Sequence, residues 1–291
     1  MISSALQVGV ERALEQRVES ASRLSGGDVN DAFALSLADG RRVFLKTNPN
    51  APRAMFPAEA HGLEFLSQAR ALRVPRVLAH SGPEPADSPC FLLLEFVASA
   101  RPRAGFDEQL GRGLAALHRA GAPSFGFEQP NFIGRLPQAN QPHDSWAEFY
   151  RVERLEAQLK CAVRSGHASV TLQRDFERLF SKLAELVGDD EAPARLHGDL
   201  WGGNLHVDEQ GAPCLIDPAV YGGHREVDLA MMRLFGGFSE RVFAAYAEAF
   251  PLAPGHAQRV SLYQLYPLLV HLNLFGGSYA SSVEQALARY L

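Results

Sequence analysis

The stretch that decides the fold reads H-G-D-L-W-G-G-N at residues 197–204, and C-L-I-D-P follows it at 214–218. It places a carboxylate at Asp199, an amide oxygen at Asn204 and a second carboxylate at Asp217. Carboxylates and amide oxygens take up protons and bind hard divalent cations. The stretch therefore indicates a site for acid–base chemistry and metal binding.

The segment between these side chains has the pattern of a β-hairpin. Apolar residues alternate before the turn D-E-Q-G at 208–211 and return after it at 215–216. This alternation around a polar, glycine-containing turn is typical of two antiparallel strands. Such a hairpin would bring Asn204 and Asp217 side by side.

The spacing H-x-D-x-x-x-x-N, with a later Asp after an apolar strand, is typical of kinase-like phosphotransferases. An alcohol that attacks a γ-phosphate must lose its proton, and Asp199 is the candidate base. Asn204 and Asp217 are candidate ligands for Mg²⁺. Taken singly, each of the three is better explained as a turn or cap former, but their combination at this spacing favours function. A zinc site formed by His197, Asp199 and His206 is an alternative.

Length and composition favour a soluble globular protein of one large domain or two lobes. The chain has 291 residues, 46% hydrophobic content and a net charge of -5. Because it has no basic run, we expect no nucleic-acid partner. It also has no N-terminal leader pattern and no long uninterrupted apolar segment, so we expect a cytoplasmic protein without membrane contact. The three cysteines are scattered, which favours reduced thiols.

Local patterns predict a bilobal α+β fold. Residues 1–97 read as a small β-rich lobe, with helices at 5–22 and 55–72, a hairpin spanning 33–45, and strands at 76–80 and 91–97. Residues 98–291 read as a helical lobe, with helices at 110–121, 145–163, 172–186, 226–235, 239–250, 257–274 and 282–291. Between its first two helices, residues 123–143 read as a long irregular loop. The patterns leave the oligomeric state undetermined.

The glycine pair near the first hairpin is a candidate phosphate-binding turn. Gly26 and Gly27 allow backbone N–H groups to approach phosphate oxygens, and Asn30 follows them. Taken in isolation, the glycine pair is better explained as an ordinary turn.

Lys46 and Glu59 form a second candidate for nucleotide binding. Lys46 ends a strand and points away from its apolar neighbours, where it could reach phosphates. Glu59 lies on the inward stripe of the next helix, so its carboxylate needs a cation, and Lys46 is the nearest candidate. Alternatively, Pro57 begins the helix and Glu59 is a first-turn acid favoured by the helix dipole.

The apolar strand F-L-L-L-E-F-V at 91–97 resembles the last strand before a kinase hinge. Backbone groups around Glu95 and Val97 would then bind adenine. An ordinary buried strand is the alternative.

Taken together, these segments resemble the fructosamine kinase (ketosamine 3-kinase) family, in the aminoglycoside-phosphotransferase-like branch of the kinase-like fold. The matching segments are G-G-D-V-N-D-A-F (26–33), V-F-L-K-T-N (43–48), M-F-P-A-E-A-H-G-L (55–63), N-F-I-G-R-L-P-Q-A-N (131–140), W-A-E-F-Y (146–150), R-L-E-A-Q-L (154–159), L-H-G-D-L-W-G-G-N (196–204), I-D-P-A-V-Y-G-G-H-R-E-V-D-L-A (216–230), F-G-G-F (235–238) and L-Y-Q-L-Y (262–266). They span nearly the whole chain.

The resemblance implies ATP- and Mg²⁺-dependent phosphorylation of the 3-hydroxyl of a free or protein-bound glycated amine, which frees the amine. It implies that Trp201 lies against the sugar and that His271 and Asn273 contact the substrate. Some relatives carry Cys where this chain has Asp28, and others carry His where it has Leu274. Related aminoglycoside, choline or homoserine kinases, or a pseudokinase without chemistry, are the alternative functions.

Three side chains outside the motif have interpretations of their own. Trp146 either packs in the core or forms a wall of the sugar site. Asp228 is expected to cap or brace the loop at residues 197–204, here named the catalytic loop after its predicted role. His118 is expected to be a core histidine with its hydrogen bonds satisfied.

Overall fold

The computed structural model describes residues 2–24, 30–82, 88–188 and 191–291. The chain forms two compact units, one of Met1–Phe106 with Leu205–Pro218 and one of Asp107–Asn204 with Ala219–Leu291. The first unit thus extends beyond the predicted boundary at residue 97 and includes the predicted hairpin. The reason is backbone pairing: the Ala100 and Arg103 N–H groups donate to the Val207 and Gly211 carbonyls at 3.3 and 3.0 Å.

An antiparallel five-stranded sheet forms the centre of the first unit, in the order β1-β2-β3-β5-β4. Its strands are β1 Val18–Leu24, β2 Asp31–Leu37, β3 Arg42–Thr47, β4 Val77–His80 and β5 Phe91–Glu95. Helix α1 (Ser4–Leu14) packs on one face and α2 (Met55–Gln68) on the other. Because side chains alternate across a strand, Val43 and Leu45 of β3 face the α1 side, which leaves Lys46 on the α2 side.

The prediction of a helix through residue 22 was wrong in its second half. Helix α1 ends at Leu14, and β1 occupies Val18–Leu24. This edge strand is mostly exposed and reads V-E-S-A-S-R-L, so it lacks the apolar alternation that identifies a strand. Its pairing with β2 decides its conformation.

The hairpin between the catalytic-loop segment and Asp217 is confirmed. It consists of β9 (Leu205–Val207) and β10 (Pro213–Leu215), with Leu205 opposite Leu215. Asp208 fixes the turn, because its Oδ1 accepts hydrogen bonds from the Gln210 and Ala212 N–H groups at 3.0 and 2.8 Å.

The second unit is mainly helical. Its α-helices are α3 Phe106–Arg119, α4 Trp146–Phe149, α5 Ala157–Arg164, α6 Val170–Phe180, α7 Leu183–Leu186, α8 Glu226–Phe235, α9 Glu240–Ala249, α10 His256–Phe275 and α11 Ala280–Leu287. Short 3-10 turns occur at Gly202–Asn204, Gly277–Tyr279 and Ala288–Tyr290, and a π-helix at Tyr150–Glu156 joins α4 to α5. Within the described part of the chain, no helix is both long and apolar enough to cross a membrane.

The segment predicted as an irregular loop contains a small, partly buried hairpin, so that prediction was wrong for residues 131–138. Strands β6 (Asn131–Ile133) and β7 (Leu136–Gln138) pair antiparallel, and β8 (Ala194–Leu196) pairs with β11 (Tyr221–Gly223). The polar composition of the segment concealed the hairpin, because Asn131, Gln138 and Asn140 are buried and hydrogen-bonded rather than exposed.

Candidate active site

Lys46 lies between two carboxylates in the first unit. Its Nζ is 2.9 and 3.0 Å from the two oxygens of Glu59, and 2.9 Å from Oδ2 of Asp217. Strand β3 presents Lys46, α2 presents Glu59, and the β9–β10 hairpin is followed directly by Asp217. The predicted Lys46–Glu59 pair is therefore present, and a second carboxylate joins it.

The two carboxylates differ in exposure. The Glu59 side chain is 11% exposed and that of Asp217 is 40% exposed. Burial alone lowers the pKa of Lys46, but the charges of Asp217 and Glu59 and their hydrogen bonds outweigh it, so that pKa is raised. Lys46 thus stays cationic at every physiological pH. Glu59 is its buried anchor, and Asp217 is the partner that faces solvent.

The position of Glu59 in its helix decides between the two interpretations of this residue. Helix α2 begins at Met55, so Pro57 is not its first residue and Glu59 comes after the first turn. The helix-dipole explanation therefore fails, and the ion pair with Lys46 accounts for the buried carboxylate.

Asp217 has an unusual backbone conformation. Its φ is 54°, in the left-handed region that residues with a Cβ avoid at a cost of roughly 1 kcal/mol. Asp and Asn tolerate this region better than other residues with a side chain. Backbone strain of this kind is concentrated at functional sites, where the surrounding structure enforces it.

The hinge segment is attached to the hairpin within the same unit. His206 Nε2 lies 3.1 Å from the Val97 carbonyl, and the Glu95 N–H donates to the Arg76 carbonyl at 2.9 Å. Arg73 binds the Glu95 side chain and Asp208 on the hairpin turn at 3.4 and 3.0 Å. These contacts fix the direction of the backbone at the predicted adenine site.

The glycine pair Gly26–Gly27 lies outside the described residues, as does Asp28. Asn30 is described, and its Oδ1 accepts a hydrogen bond from Asn48 Nδ2 at 3.2 Å. The phosphate-binding role of all of these residues stays a prediction.

Asp199 lies in the catalytic loop of the second unit. Asn204 Nδ2 donates to the Asp199 carbonyl at 2.8 Å and to its Oδ2 at 3.1 Å, while the Asp199 N–H donates to His197 Nδ1 at 3.3 Å. The Asn204 amide thus orients the Asp199 carboxylate. A half-buried carboxylate held in this way is suited to accept a proton from a bound hydroxyl.

Asp199 faces a small, largely apolar pocket. The pocket is lined by Ile133, Gly198, Asp199, Val227, Met231, Tyr266, Pro267, Val270 and His271. The sequence predicted His271 as a substrate contact, and the structure places it in the same pocket as the candidate base. Asn273 instead donates to the carbonyl and side chain of Gln158 at 2.9 and 2.8 Å and is not a lining residue.

Two glycines shape the catalytic loop. Gly198 has φ 82°, and a Cβ there would lie 2.0 Å from the Ala219 carbonyl oxygen. A Cβ on Gly203 would lie 2.3 Å from the Trp201 ring. Trp201 therefore folds over Gly203, yet its side chain remains 40% exposed. Trp201 therefore packs against the loop with one part of its ring and presents another part to solvent.

Asp228 stabilises the catalytic loop through hydrogen bonds to its backbone, as expected. Its two carboxylate oxygens accept the His197 and Gly198 N–H groups at 2.8 and 2.9 Å. His118 Nε2 lies 3.1 Å from the same carboxylate, and His118 Nδ1 lies 2.8 Å from the Tyr246 hydroxyl. His118 is thus a satisfied core histidine.

We expect Asp228→Asn to destabilise the protein by about 3–5 kcal/mol at neutral pH, because Asn cannot accept from all three donors. Burial raises the pKa of Asp228, but His118 and the Gly198 N–H outweigh it, so that pKa is lowered. The carboxylate therefore stabilises the fold above its unfolded pKa, and this is lost as the pH falls through the lower folded value. Urea unfolding at neutral and acidic pH, with the exposed Asp144→Asn as control, measures this. Equal stability of the two variants would contradict the brace.

An arginine that the sequence did not single out organises the wall behind the pocket. Arg154 is fully buried and donates to the Ala139 carbonyl and Asn140 Oδ1, each at 2.7 Å. Its guanidinium lies 3.8 Å from the centre of the Tyr221 ring. Through Asn140 it connects to the β6–β7 hairpin, which contributes Ile133 to the pocket. The only sequence signal was a run of amides, N…Q-A-N, in a segment otherwise read as loop.

Trp146 packs in the core and is not a wall of the pocket. It is buried, stacks on Tyr150 at 5.1 Å, and its indole N–H donates to the Tyr263 hydroxyl at 3.1 Å.

The residues predicted to bind a metal carry oxygen donors, which suit Mg²⁺ better than zinc. Asp217 and Asn204 offer carboxylate and amide oxygens, which hard cations prefer. Both histidines of the zinc alternative already bind backbone groups, His206 at the Val97 carbonyl and His197 at the Asp199 N–H. Among the described residues, no group of three or more His, Cys, Asp or Glu side chains could hold a metal ion.

Solved structures establish the class of fold. A crystal structure of a fructosamine-3-kinase candidate from Thermobifida fusca aligns with a TM-score of 0.90 and 36% identity over 100% of this chain and 99% of that chain. An aminoglycoside phosphotransferase solved with ADP and hygromycin B aligns with a TM-score of 0.64, at 17% identity, over 98% of this chain and 99% of that chain. The α+β bilobal fold is thus the kinase-like fold.

Sequence comparisons establish the family. The profile described as fructosamine kinase matches residues 1–291, and the chain belongs to this family. The probable ketoamine kinase of Enterococcus faecium is 40% identical over 91% of this chain and 93% of its own length. The chloroplastic protein-ribulosamine 3-kinase of Arabidopsis thaliana is 38% identical over 92% and 81%. The protein is therefore a phosphotransferase with an alcohol acceptor that uses ATP.

Proposed function

We propose that this protein transfers the γ-phosphate of ATP to the 3-hydroxyl of a ketosamine such as a ribulosamine or fructosamine. The observation that carries the proposal is the buried Lys46, held at 2.9 Å by Glu59 and at 2.9 Å by Asp217. Kinases need this arrangement because the lysine positions phosphates while the second carboxylate binds their metal. Membership of the fructosamine kinase family supports the acceptor class.

The residues of the first unit bind the nucleotide in this proposal. Lys46 contacts the α- and β-phosphates, and Glu59 keeps its ammonium in place. The Glu95 carbonyl and the Val97 N–H bind the adenine edge. The Val97 carbonyl is the partner of His206, which ties this segment to the β9–β10 hairpin. Gly26, Gly27 and Asn30 complete the phosphate contacts.

Asn204 and Asp217 would supply oxygen ligands to Mg²⁺, which neutralises the charge of the transferred phosphate when it is bound. The 40% exposure of the Asp217 side chain leaves it accessible to such a cation. Asn204 donates its amide N–H groups to Asp199, and its amide oxygen is the kind of donor atom that Mg²⁺ prefers.

Asp199 acts as the base in the second unit. It takes the proton of the acceptor hydroxyl as that oxygen bonds to phosphorus, and Asn204 orients its carboxylate. In this proposal the sugar lies at the mouth of the pocket shared by Asp199 and His271, because the pocket itself is too small to enclose a sugar ring. Trp201 is a further proposed substrate contact and offers its ring face to the sugar C–H groups. The sequence-based prediction for Asn273 has no such support, because its amide binds Gln158 outside the pocket.

We expect Trp201→Ala to raise the KM for a ribulosamine several-fold, because an aromatic face contributes about 0.5–1.5 kcal/mol beyond its apolar area. The KM for ATP should stay unchanged, and Trp201→Phe should recover most of the loss. Steady-state kinetics with both substrates varied, together with the melting temperature, is the measurement. A stable Trp201→Ala variant with both constants unchanged would make this residue a loop anchor only.

A panel of acceptors tests the function itself. ATP consumption is measured with a ribulosamine, a fructosamine, an aminoglycoside and choline. We expect turnover with the ketosamines and none above background with the other two. Faster turnover on choline or the aminoglycoside would assign another acceptor, and ATP binding without turnover on any acceptor would indicate a pseudokinase.

A further inference from the structure

Exposed aromatic side chains are concentrated around the Asp199 pocket. In the described ranges, the large aromatic residues with high exposure are Trp201, Phe235 and Phe275, at 40, 37 and 55%. Single exposed apolar residues need no explanation, but a cluster beside a site does. Every one of these three belongs to the second unit, as Asp199 does.

His271 connects two of them to the pocket. Its ring lines the pocket with Asp199 and lies 4.5 Å from the Phe235 ring and 5.4 Å from the Phe275 ring. Tyr279 completes the group, at 5.2 Å from His271 and 6.2 Å from Phe275. Phe235, Phe275 and Tyr279, here named the aromatic rim, thus continue the pocket outward. Burial lowers the pKa of His271, which favours an uncharged imidazole at the centre of the rim.

The rim is built on ends of helices. Phe235 is the last residue of α8, Phe275 is the last residue of α10, and both are followed by glycines with positive φ at Gly236 and Gly276. The glycines allow the chain to turn away at these helix ends without covering the rings.

We infer that the aromatic rim binds the aliphatic chain of the glycated amine, such as the methylene groups of a glycated lysine. The inference rests on the proposed function. With the 3-hydroxyl at Asp199, the ketosamine nitrogen is three bonds from the reacting carbon C3, so its substituent must leave the pocket close by. His271 joins the rim to that pocket, and aromatic faces suit methylene groups through apolar contact. The rim thus determines which amines are accepted, while the pocket recognises the sugar.

A matched pair of substrates separates these two roles. Both carry the same ribulose, one on the side-chain nitrogen of Nα-acetyllysine and the other on methylamine. We expect Phe275→Ala to raise the KM for the acetyllysine conjugate by about three- to tenfold and to leave that for the methylamine conjugate within about twofold. Phe275→Leu should retain part of the apolar contact and give an intermediate value. Val170→Ala, at an exposed site on α6, is the control and should change neither constant.

The outcomes distinguish the inference from the proposed function. Equal changes in KM for both conjugates, or no change in either, would overturn the rim as an amine subsite. Light scattering tests whether the rim instead binds a second copy of the chain. That would be the result if Phe275→Ala lost concentration-dependent self-association while its selectivity stayed unchanged. If the unsubstituted protein phosphorylates neither conjugate, the proposed function itself fails.

Discussion

Replacing Asp199 by Asn should lower turnover with a ribulosamine by about 10²- to 10⁴-fold, because the variant lacks the base that takes the acceptor proton. ATP binding should change little, since the proposal assigns Asp199 to the acceptor hydroxyl and not to the nucleotide. Asn is nearly the same size and still accepts one hydrogen bond, so the fold should persist.

Asp144→Asn is the matched control, because it removes an exposed carboxylate from the same unit. Turnover and calorimetric titration with Mg²⁺-ATP are measured on both variants. A pure Asp199→Asn protein that retained more than about half of its activity would show that another group takes the proton, since base loss costs far more than that.

Replacing Asp217 by Asn should weaken Mg²⁺-ATP binding and lower turnover by about 10²-fold or more. The reason is that the substitution removes the negative charge proposed to hold Mg²⁺ beside the transferred phosphate. Lys46 keeps its contact with Glu59 at 2.9 Å, so the first unit should remain folded. Asp217→Ala should be less stable than Asp217→Asn by roughly 1 kcal/mol, because Ala lacks a short polar side chain that tolerates positive φ. The φ of 54° at this position makes that comparison informative.

The Mg²⁺ dependence of ATP affinity is the readout that a structural role would not change. It should be strong in the parent protein and in Glu64→Gln, which alters an exposed carboxylate on α2, and weak in Asp217→Asn. The metal role would be refuted by an Asp217→Asn protein whose affinity and turnover both equal those of the parent.

Features set by local periodicity could be predicted from the sequence. The β2–β3 hairpin, the β9–β10 hairpin and helix α8 follow from alternation and helical spacing, and the structure confirms them. The inward stripe of α2 predicted that Glu59 would need a cation, and Lys46 is that cation.

Features set by distant partners could not be predicted in this way. The contact of Asp217 with Lys46 joins residues far apart in sequence, and no local pattern signals it. Strand β1 forms because β2 offers it backbone partners. The β6–β7 hairpin forms because Arg154 and neighbouring amides satisfy its buried polar groups, which resemble a solvated loop in sequence.

The proposed reaction is phosphorylation of the acceptor at its 3-hydroxyl, with Asp199 as the base. The most direct test is a ³¹P–¹H correlation NMR spectrum of the product formed from ATP and a ribulosamine. The proposed function predicts a new phosphate ester coupled to the proton on C3, followed by release of the free amine, and no product with Asp199→Asn. A phosphate on another hydroxyl, or no phosphorylated ketosamine in the presence of intact Mg²⁺-ATP binding, would contradict it.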